Sequence, residues 1–547
     1  MRKLYKITAM MMICFFIVHS AFADVKSVTV DGFCYLEGVG DHSGTKVLFT
    51  AVTPSAQTDS TYTNADGSYF AGLAEGIYTV HYSHDGYQPY TIPGELGIFV
   101  NTTLDDVTLS PGIVVEVSGP QSGVWSSGNL YQVIGNISVS SGETLVIEPG
   151  VTVKFMDYYS FIINGKLAAE GTVNDSIYFT SGLAVPEPGS WDGIHFINSS
   201  SVDNVICYSV IEFAVTGISF ENSASMISHN RICRNSNNGI YCSTSAPNIS
   251  YNDIIYNGST EWDHSGINCT QGSSPIIDHN TIVNNFNVGI QVNNSSPLIS
   301  NNLIGYSEDY SIWIRSSSMP TIISNTITYS WRGIFVDHST PYIIMNQLYY
   351  NTIGIRLWGS SCELINNTIC LNEEGVTCYI DATPSIINNV FNENITGLFF
   401  ESEPSTLSYN SFWQNNSNAT GDFTPPSFGE IVTVNLNGDP CDPYLNLFMD
   451  PLFIDPGNLD FHITEGSPCI DAGNPDPAYY DPDGTIADIG AFYYDQTILA
   501  PVIIDILAEP TEGVAPLFVQ FSSEITGQVT TYNWSFGDGG TSTLPNP

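Results

Sequence analysis

Residues 274–292 read SPIIDHNTIVNNFNVGIQV, a run of isoleucine and valine that is interrupted by asparagines. Asparagine is a poor strand former, and its amide is costly to bury unless it finds hydrogen-bond partners. The same mixture returns again and again between residues 205 and 415. The role of these asparagines therefore decides the fold of the chain.

The asparagines belong to a repeat of three columns with a period near 22 residues. The first column is Asn230, Asn252, Asn280, Asn302, Asn325, Asn346, Asn367, Asn389 and Asn410. Five residues later a second polar column holds Asn235, Asn257, Asn285, Ser307, Ser330, Asn351, Asn372, Asn394 and Asn415. Three residues before the first column stand Ile227, Ile249, Ile277, Ile299, Ile322, Ile343, Leu364, Ile386 and Leu407.

A period of this length without helical spacing predicts a parallel β-solenoid, in which successive turns stack about 4.8 Å apart. Each asparagine then lies over its equivalent and can bond to it and to the backbone at a bend, which offsets the cost of burial. Asparagine also tolerates the left-handed backbone conformation that a sharp bend requires. We therefore predict that the asparagines are structural and that their Asn-x-Ser/Thr sequons are not glycan sites.

A glycine column at 217, 239, 266, 289, 333, 354, 375 and 397, with Ser311 in its gap, marks one strand of each turn. Residues one and three places after it are apolar, so those two and four places after it are predicted to point outward. The candidate binding patch in these outward rows is Trp313, Arg315, Phe335, Asp337, Arg356 and Trp358. Aromatic faces stack on sugar rings, and arginine and aspartate bond to hydroxyls or carboxylates. The alternative is that these aromatics pack beneath a loop or a neighbouring domain.

The repeat P-x-I-x-x-N-x-I-x-x-N…G-I resembles the right-handed parallel β-helix repeats of secreted bacterial proteins. That group includes pectate lyases, related polysaccharide-acting enzymes and surface proteins of unknown activity. The stretch DPLFIDPGNLDFHITEGSPCIDAG is similar to the C-terminal cap that such helices carry. The resemblance implies a polysaccharide or cell-surface glycan as partner.

Two further segments resemble β-sandwich domains. TNADGSYFAGLAEGIYTVHYSHDGY, at 63–87, resembles carboxypeptidase regulatory-like domains, and YNWSFGDGG, at 532–540, resembles a polycystic-kidney-disease (PKD) type repeat. The predicted fold is all-β, a right-handed parallel β-helix flanked by β-sandwich domains. The predicted domains are a signal peptide at 1–23, a regulatory-like sandwich at 24–111, the β-helix with its cap at 112–497 and a truncated PKD-like sandwich at 498–547.

The beginning of the chain and its charge indicate the compartment. MRKLYKITAMMMICFFIVHSAFA has the basic start, short apolar middle and small-x-small end of a secretory signal peptide. No later segment has the length of a membrane helix, so we expect a secreted or cell-surface protein without a transmembrane segment. With 55 acidic residues against 12 Lys and Arg, the net charge of −43 argues against nucleic acid as a partner.

The sequence leaves enzyme activity open. Paired-carboxylate hydrolysis needs the two groups about 5–10 Å apart, whereas Asp337 and Glu401 share a row three turns, or about 14 Å, apart. The first hypothesis is a carbohydrate-binding or adhesive protein. The alternative implied by the resemblance is a Ca²⁺-dependent polysaccharide lyase of the pectate-lyase type, with Arg315 or Arg356 as base beside Asp337. The Asn-Thr-Asp, Gly-His-Gly and Arg-Ile-Lys motifs of pectate lyases and polygalacturonases are absent from the chain.

Three smaller features complete the candidate sites. Asp481, Asp483 and Asp488 in DPDGTIAD are candidate Ca²⁺ ligands or, equally, a carboxylate-rich turn. The one repeat stretched to 28 residues contains Glu261-Trp262-Asp263-His264, which is predicted to form a loop rather than an active site. Cys242 and Cys269 are predicted to stack as thiols, and a bridge between Cys441 and Cys469 is left open.

Overall fold

The structure is a computed structural model. It describes residues 27–53, 58–84, 86–92, 96–199, 203–259, 264–497, 502–510, 512, 519–526, 532–536 and 540–547. The predicted signal peptide at 1–23 and residues 261–263 of the stretched repeat lie outside the described residues. The chain divides into two units, the first comprising Met1–Val114 and Ser127–Leu130 and the second the remainder.

The first unit consists of two small sheets around one apolar core. Its strands are Ser27–Leu36, Lys46–Thr53, Thr58–Tyr62, Ser68–Ala74, Gly76–Ser83, Tyr90–Thr91, Leu96–Ile98, Thr102–Thr103 and Val107–Leu109. Alternation is clear in Gly76–Ser83, where Tyr78, Val80 and Tyr82 are fully buried. The hydroxyls of Tyr69 and Tyr82 share a hydrogen bond of 2.7 Å, so the polar ends of these buried rings have a partner.

The second unit contains a parallel β-solenoid with three short strands in each regular turn. The first strands form a 13-stranded parallel sheet. They are Gly123–Trp125, Thr144–Ile147, Lys166–Glu170, Val205–Cys207, Met226–Ser228, Asn248–Ser250, Ile276–Asp278, Leu298–Ser300, Thr321–Ile323, Tyr342–Ile344, Glu363–Ile365, Ser385–Ile387 and Thr406–Ser408. The predicted parallel β-solenoid is confirmed.

The second and third strands of the turns belong to one 26-stranded sheet, which begins with Val114–Pro120 and Leu130–Val139. The second strands are Thr152–Phe155, Ile177–Ser181, Ser209–Glu212, Arg231–Cys233, Asp253–Ile255, Thr281–Val283, Leu303–Gly305, Thr326–Thr328, Gln347–Tyr349, Thr368–Cys370, Val390–Asn392 and Ser411–Trp413. The third strands are Ser160–Ile163, Trp191–Ile197, Ala214–Glu221, Asn238–Ser243, Ser265–Thr270, Val288–Asn293, Tyr310–Arg315, Arg332–Asp337, Ile353–Trp358, Glu374–Tyr379, Thr396–Phe400 and Ser417–Gly421.

The first asparagine column is a continuous hydrogen-bonded ladder, as predicted. Each side-chain amide donates to the side-chain oxygen of the next asparagine at 2.9–3.1 Å. The same oxygen accepts the main-chain N–H of the preceding asparagine, at 2.8 Å from Asn280 to Asn302. Asn446, which the repeat did not predict, continues the ladder beyond Asn410 at 3.1 Å.

The column asparagines do not adopt the left-handed backbone conformation that was predicted for them at the bends. The left-handed residue is the one before each column asparagine, for example His279 with φ 53° before Asn280 and Ser324 with φ 56° before Asn325. The column asparagine thus stabilises the bend through its hydrogen bonds, and its neighbour adopts the left-handed conformation.

The interior of the solenoid is apolar, and the inward rows are confirmed. The columns of isoleucine, valine and leucine form one cluster whose members are almost all fully buried. Cys242 and Cys269 pair in register on adjacent turns as buried free thiols, which confirms the stacked pair. Cys441 and Cys469 are also free thiols, packed in a separate apolar cluster.

The glycine column interrupts the alternation of the third strands. A Cβ on Gly266 or Gly289 would lie 2.7 or 2.6 Å from a carbonyl oxygen of the next turn, so the backbone approaches there too closely for most side chains. Val288, one residue before its glycine, clusters with Tyr310 and Trp313 instead of joining the interior. The residue before each glycine therefore shares the outer face with the residue two places after it.

Irregular structure follows the last turn. It contains the strands Thr433–Val434, Pro440–Cys441, Phe453–Asp455 and Asp460–Ile463 and the 3-10 helices Pro456–Asn458 and Pro477–Tyr479. The final strands are Val502–Glu509, Gln520–Thr526, Trp534–Ser535 and Thr541–Ser542. Residues 537–539 of the PKD-like motif lie outside the described residues. No helix in the described part of the chain has the length and hydrophobicity needed to cross a membrane.

Candidate functional site

Neighbouring third strands bring all six predicted patch residues together. Trp313 pairs with Phe335, and Phe335 with Arg356, along one row. In the next row Arg315 pairs with Asp337, and Asp337 with Trp358. We call this surface, with Tyr310, Trp331, Arg332, Thr377 and Tyr379 beside it, the arginine–aromatic face.

The exposure of Trp313 differs from the prediction. Trp313 was expected to be exposed, but only 8% of it is accessible to solvent. Its ring centroid lies 5.2 Å from that of Tyr310 and 6.5 Å from that of Phe335, both stacked on it. Turns only one strand spacing apart let large side chains lie flat over one another, so the central aromatics cover each other.

Each predicted arginine lies over an aromatic ring. The Cζ of Arg315 is 4.4 Å from the ring centroid of Trp313. The Cζ of Arg356 is 4.7 Å from the ring of Tyr379 and 5.4 Å from that of Trp358. Cation–π contacts of this kind hold the guanidinium planes in place against the sheet.

Sequence reasoning missed Arg332, which lies at the centre of the face. Its Cζ is 3.4 Å from the ring centroid of Trp331 and 5.2 Å from that of Tyr310. Only 8% of Arg332 is exposed, and burial lowers the pKa of its guanidinium. Strict alternation from the inward rows excluded this position, and only the interruption at Gly333 makes Arg332 point outward. The sequence feature that could have identified Arg332 as outward-pointing is a charged residue directly before a glycine of the column.

The face contains buried hydrogen-bonding atoms with no partner in the described part of the protein. They are the Nε atoms of Arg332 and Arg356 and the hydroxyl of Thr377. A buried donor that is left unsatisfied costs about 1–3 kcal/mol, more when it is charged. Two partly buried guanidinium groups on one surface therefore carry positive charge that the chain's own hydrogen bonds compensate incompletely.

The acidic residues of the face do not form a hydrolytic pair. Asp337 Oδ1 lies 2.6 Å from Nδ1 of its neighbour His338. Glu401 Oε2 accepts the main-chain N–H of Ile380 at 2.9 Å. Burial raises the pKa of Glu374, while Arg356 opposes the shift. Asp337 and Glu401 stay three turns apart in one row, too far for paired-carboxylate hydrolysis.

The candidate calcium ligands lie close together, and their oxygens accept backbone hydrogens. Asp481 Oδ2 accepts from the main-chain N–H of Asp488 at 2.7 Å, and Asp488 accepts from those of Asp471 and Tyr494 at 2.7 and 2.6 Å. Across the described residues, no group of three or more His, Cys, Asp or Glu is placed to hold a metal ion. A Ca²⁺ role for Asp481, Asp483 and Asp488 stays a prediction.

We expect the stability of this carboxyl group cluster to fall as the pH rises. Burial, and then the charge of Asp488, raises the pKa of Asp481 from 3.8 to about 7; burial raises that of Asp488 to about 6. A raised carboxyl pKa contributes stability that is complete below pH 4 and is lost through about pH 6–7. At pH 8 Asp481→Asn should therefore increase the free energy of unfolding, by on the order of 2 kcal/mol, and raise the melting temperature. At pH 4 neither quantity should change.

Calorimetry in EDTA measures this effect. The control is Asp483→Asn: burial raises the pKa of Asp483, but hydrogen bonds from Thr485 and Gln496 outweigh burial and lower it below the ordinary value. This variant should not gain stability at pH 8. Equal melting temperatures for wild type and Asp481→Asn at pH 8 would contradict the prediction. A rise in the wild-type value on adding Ca²⁺ would support the calcium role.

In the Glu261-Trp262-Asp263-His264 motif of the stretched repeat, the structure describes only His264. His264 Nδ1 lies 2.6 Å from the hydroxyl of Ser259. Glu261, Trp262 and Asp263 lie outside the described residues. The loop prediction at this motif stays a prediction.

Stacked turns, asparagine ladders and an all-parallel arrangement define the class of β-helix proteins. The profile of the right-handed β-helix region matches residues 135–327 and 265–423, which together are more than half of the chain. The protein belongs to this right-handed β-helix family. No curated protein sequence matches the chain.

Several solved structures are similar to the chain at low identity. Pectate lyase Pel9A is 13% identical, with 65% of this chain and 88% of that chain covered and a TM-score of 0.39. The A-module of Azotobacter vinelandii mannuronan C-5 epimerase AlgE6 is 11% identical, with 58% and 88% covered and a TM-score of 0.27. Alginate lyase from Paenibacillus sp. strain FPU-7 is 16% identical, with 51% and 93% covered and a TM-score of 0.25. Similarity at this level carries no information on activity.

Proposed function

We propose that the protein is secreted or displayed at the cell surface and that its arginine–aromatic face binds an acidic polysaccharide. The observation that carries this proposal is the concentration of positive charge. Arg315, Arg332 and Arg356 are three of only 12 Lys and Arg in a chain of net charge −43. They occupy adjacent turns of one sheet.

An anionic ligand fits these arginines because they concentrate positive charge locally, although the chain as a whole has a net charge of −43. The buried Nε atoms of Arg332 and Arg356 have no partner within the described chain. A guanidinium group binds a carboxylate or sulfate through paired hydrogen bonds, which are stronger than neutral ones. A neutral glycan would leave the positive charge of the buried groups uncompensated.

A polymer of sugars fits the rest of the face. Trp331, with 44% of its surface exposed, and the half-buried ring of Trp358 offer apolar planes beside the arginines. Sugar rings stack on such planes. Because the strands repeat about every 4.8 Å along the solenoid, equivalent contacts recur in the direction in which a chain of sugars would lie.

A lyase of the pectate-lyase type is the second candidate. Burial lowers the pKa of Arg332, and the hydroxyl-bearing Tyr310 lies beside it, with its ring 5.2 Å from the Cζ of Arg332. These properties suit a base and a proton donor in an elimination better than the more exposed Arg315 does. The calcium ion of such a mechanism does not fit this face, where the acidic groups do not converge in the described chain.

Titration calorimetry with polygalacturonate, alginate and neutral dextran tests the proposed function. We expect binding of the two uronate polymers, no binding of dextran, and weaker binding as salt screens the charges. Equal affinity for dextran would overturn the proposal. A steady increase in ultraviolet absorbance with either uronate polymer, from the unsaturated product, would establish the lyase instead of simple binding.

The flanking domains are proposed as spacers. The regulatory-like assignment of residues 24–111 and the PKD-like assignment of 498–547 rest on sequence resemblance. Two-sheet domains of this kind act as rigid connectors, and they would hold the β-helix away from an attachment point. Binding by residues 112–497 alone, with unchanged affinity, is the expected result for a spacer role.

A further inference from the structure

A serine, a histidine and an aspartate lie in contact on the outer face, four turns from Trp313. The hydroxyl oxygen of Ser219 is 2.7 Å from Nδ1 of His195. Nε2 of the same imidazole is 3.2 Å from Oδ2 of Asp192. A hydroxyl, an imidazole and a carboxylate in this order are the components of a nucleophilic hydrolase site, which is recognised by geometry rather than by fold.

The backbone at Gly193 produces this arrangement. Residues three apart in a regular strand point to opposite faces, so Asp192 and His195 would be separated. Gly193 has φ 137°, and the pairing with the next strand shifts in register between Gly193 and Ile194. A Cβ at Gly193 would overlap the carbonyl oxygen of Thr216, so only glycine fits. Irregularities of this kind re-aim side chains next to active sites.

The carboxylate is ionised and firmly placed. Ser160 donates to Asp192 Oδ2 at 2.6 Å, and Tyr158 donates to Oδ1 at 3.2 Å. The contact with His195 and these hydrogen bonds lower the pKa of Asp192 to about 2. The N–H at Nε2 of His195 is not aligned with Asp192 Oδ2, so this contact is not a hydrogen bond in the free protein. Catalytic hydrogen bonds are often poorly aligned before substrate binds and tighten in the complex. With Nε2 protonated toward Asp192, Nδ1 is left as the acceptor for the hydroxyl of Ser219.

We infer that Ser219, His195 and Asp192 hydrolyse O-acyl esters carried by the polysaccharide that the arginine–aromatic face binds. His195, Ser219, Tyr241, Asn268, Gln291 and Trp313 follow one another in a single row. Ser219 is therefore about 19 Å from the row position of Trp313. One polymer lying along the row reaches both places, so the choice of substrate rests on the proposed function.

In the first half of the reaction, Ser219 Oγ forms a bond to the acyl carbonyl carbon while Nδ1 of His195 takes the hydroxyl proton. The bond from that carbon to the sugar oxygen breaks, and the proton moves from His195 to the sugar oxygen. In the second half, water attacks the acyl-serine and gives its proton to His195, which returns it to Ser219 Oγ as the carboxylic acid leaves. Ser219 and His195 are the catalytic residues, and Asp192 is a positioning residue.

The carbonyl oxygen that becomes negative requires a hydrogen-bond donor. Tyr241 is the next residue in the row after Ser219. Its hydroxyl lies 3.1 Å from Thr270 Oγ1, whose one hydrogen is shared with the carbonyl oxygen of Cys242 at 3.1 Å, and rotation of the Tyr241 hydroxyl can direct its own hydrogen to the ester oxygen. Tyr241→Phe should lower turnover of an ester without changing the melting temperature.

The test uses the full chain with p-nitrophenyl acetate and a fluorophosphonate probe. We expect covalent labelling at Ser219, located by peptide mass spectrometry, and turnover that falls at least about 100-fold in Ser219→Ala. Ser250→Ala, a half-buried serine on a first strand, is the matched control and should change neither readout. Asp192→Asn should lower kcat with KM unchanged, which a purely structural role would not do.

Because the small ester needs no polymer site, this result is independent of polysaccharide binding. An unlabelled Ser219 in folded protein, or equal turnover in wild type and Ser219→Ala, would overturn the inference. If the protein binds neither polygalacturonate nor alginate but still hydrolyses the ester, the proposed polysaccharide binding is wrong and the hydrolytic site is supported. Melting curves of all variants confirm that each comparison is made between folded proteins.

Discussion

Replacing both Arg332 and Arg356 by alanine is expected to weaken the binding of an acidic polysaccharide by about 100-fold or more. Hydrogen bonds to charged groups contribute about 1.5–3 kcal/mol each, and 1.4 kcal/mol is a factor of ten in Kd. The Nε donors of both guanidinium groups have no partner in the described structure, so a bound carboxylate would compensate positive charge that the chain leaves poorly compensated. Titration calorimetry of wild type and double variant measures the change.

The control for this experiment is Arg231→Ala. Arg231 is exposed and begins a second strand, in a different row of side chains from the arginine–aromatic face. The substitution removes one positive charge, as each single arginine substitution in the double variant does, without touching the site. We expect it to alter affinity less than twofold at moderate salt. The lysine variants Arg332→Lys and Arg356→Lys keep the charge but lose the planar fork and should bind with intermediate affinity. A similar loss in Arg231→Ala would show that binding depends on total charge, not on this face.

The second large effect is expected in the asparagine ladder. Asn302 donates to the carbonyl oxygen of Ile277 at 2.8 Å and to Asn325 Oδ1 at 2.9 Å. Its oxygen accepts both the main-chain and the side-chain N–H of Asn280, at 2.8 and 3.0 Å. Alanine removes all four bonds and leaves buried polar groups that water cannot reach. We expect a loss of about 3–5 kcal/mol in the free energy of unfolding.

Denaturant unfolding followed by circular dichroism measures this loss. Asn416→Ala is the matched control, since Asn416 is an exposed asparagine next to a bend and lies outside both ladders. It should change the unfolding free energy by less than about 0.5 kcal/mol. Similar midpoints for Asn302→Ala and Asn416→Ala would mean that the ladder does not stabilise the solenoid.

The two serine hydroxyls at the second column show how far the repeat alone could predict structure. Ser307 and Ser330 occupy asparagine positions, and Ser330 Oγ accepts the main-chain N–H of Ser307 at 3.3 Å, as an asparagine oxygen does elsewhere in the column. Ser330 therefore supplies the acceptor that the column position requires, whereas the buried hydroxyl of Ser307 has no partner in the described structure. The same logic placed Trp313, Phe335 and Arg356 in one row from sequence alone. It did not predict that Trp313 is covered, because burial depends on side chains from adjacent turns.

The sequence by itself determined the solenoid, its inward rows and the asparagine ladders. These follow from a period, and a period places equivalent residues above one another whatever the details of each bend. Tertiary structure alone decided the position of Arg332, the contact of Ser219 with His195 and Asp192, and the cover over Trp313. Each depends on a local departure from alternation, at Gly333 or Gly193, or on the packing of neighbouring side chains. A two-residue alternation rule cannot express such departures, since it treats every strand position as geometrically equivalent.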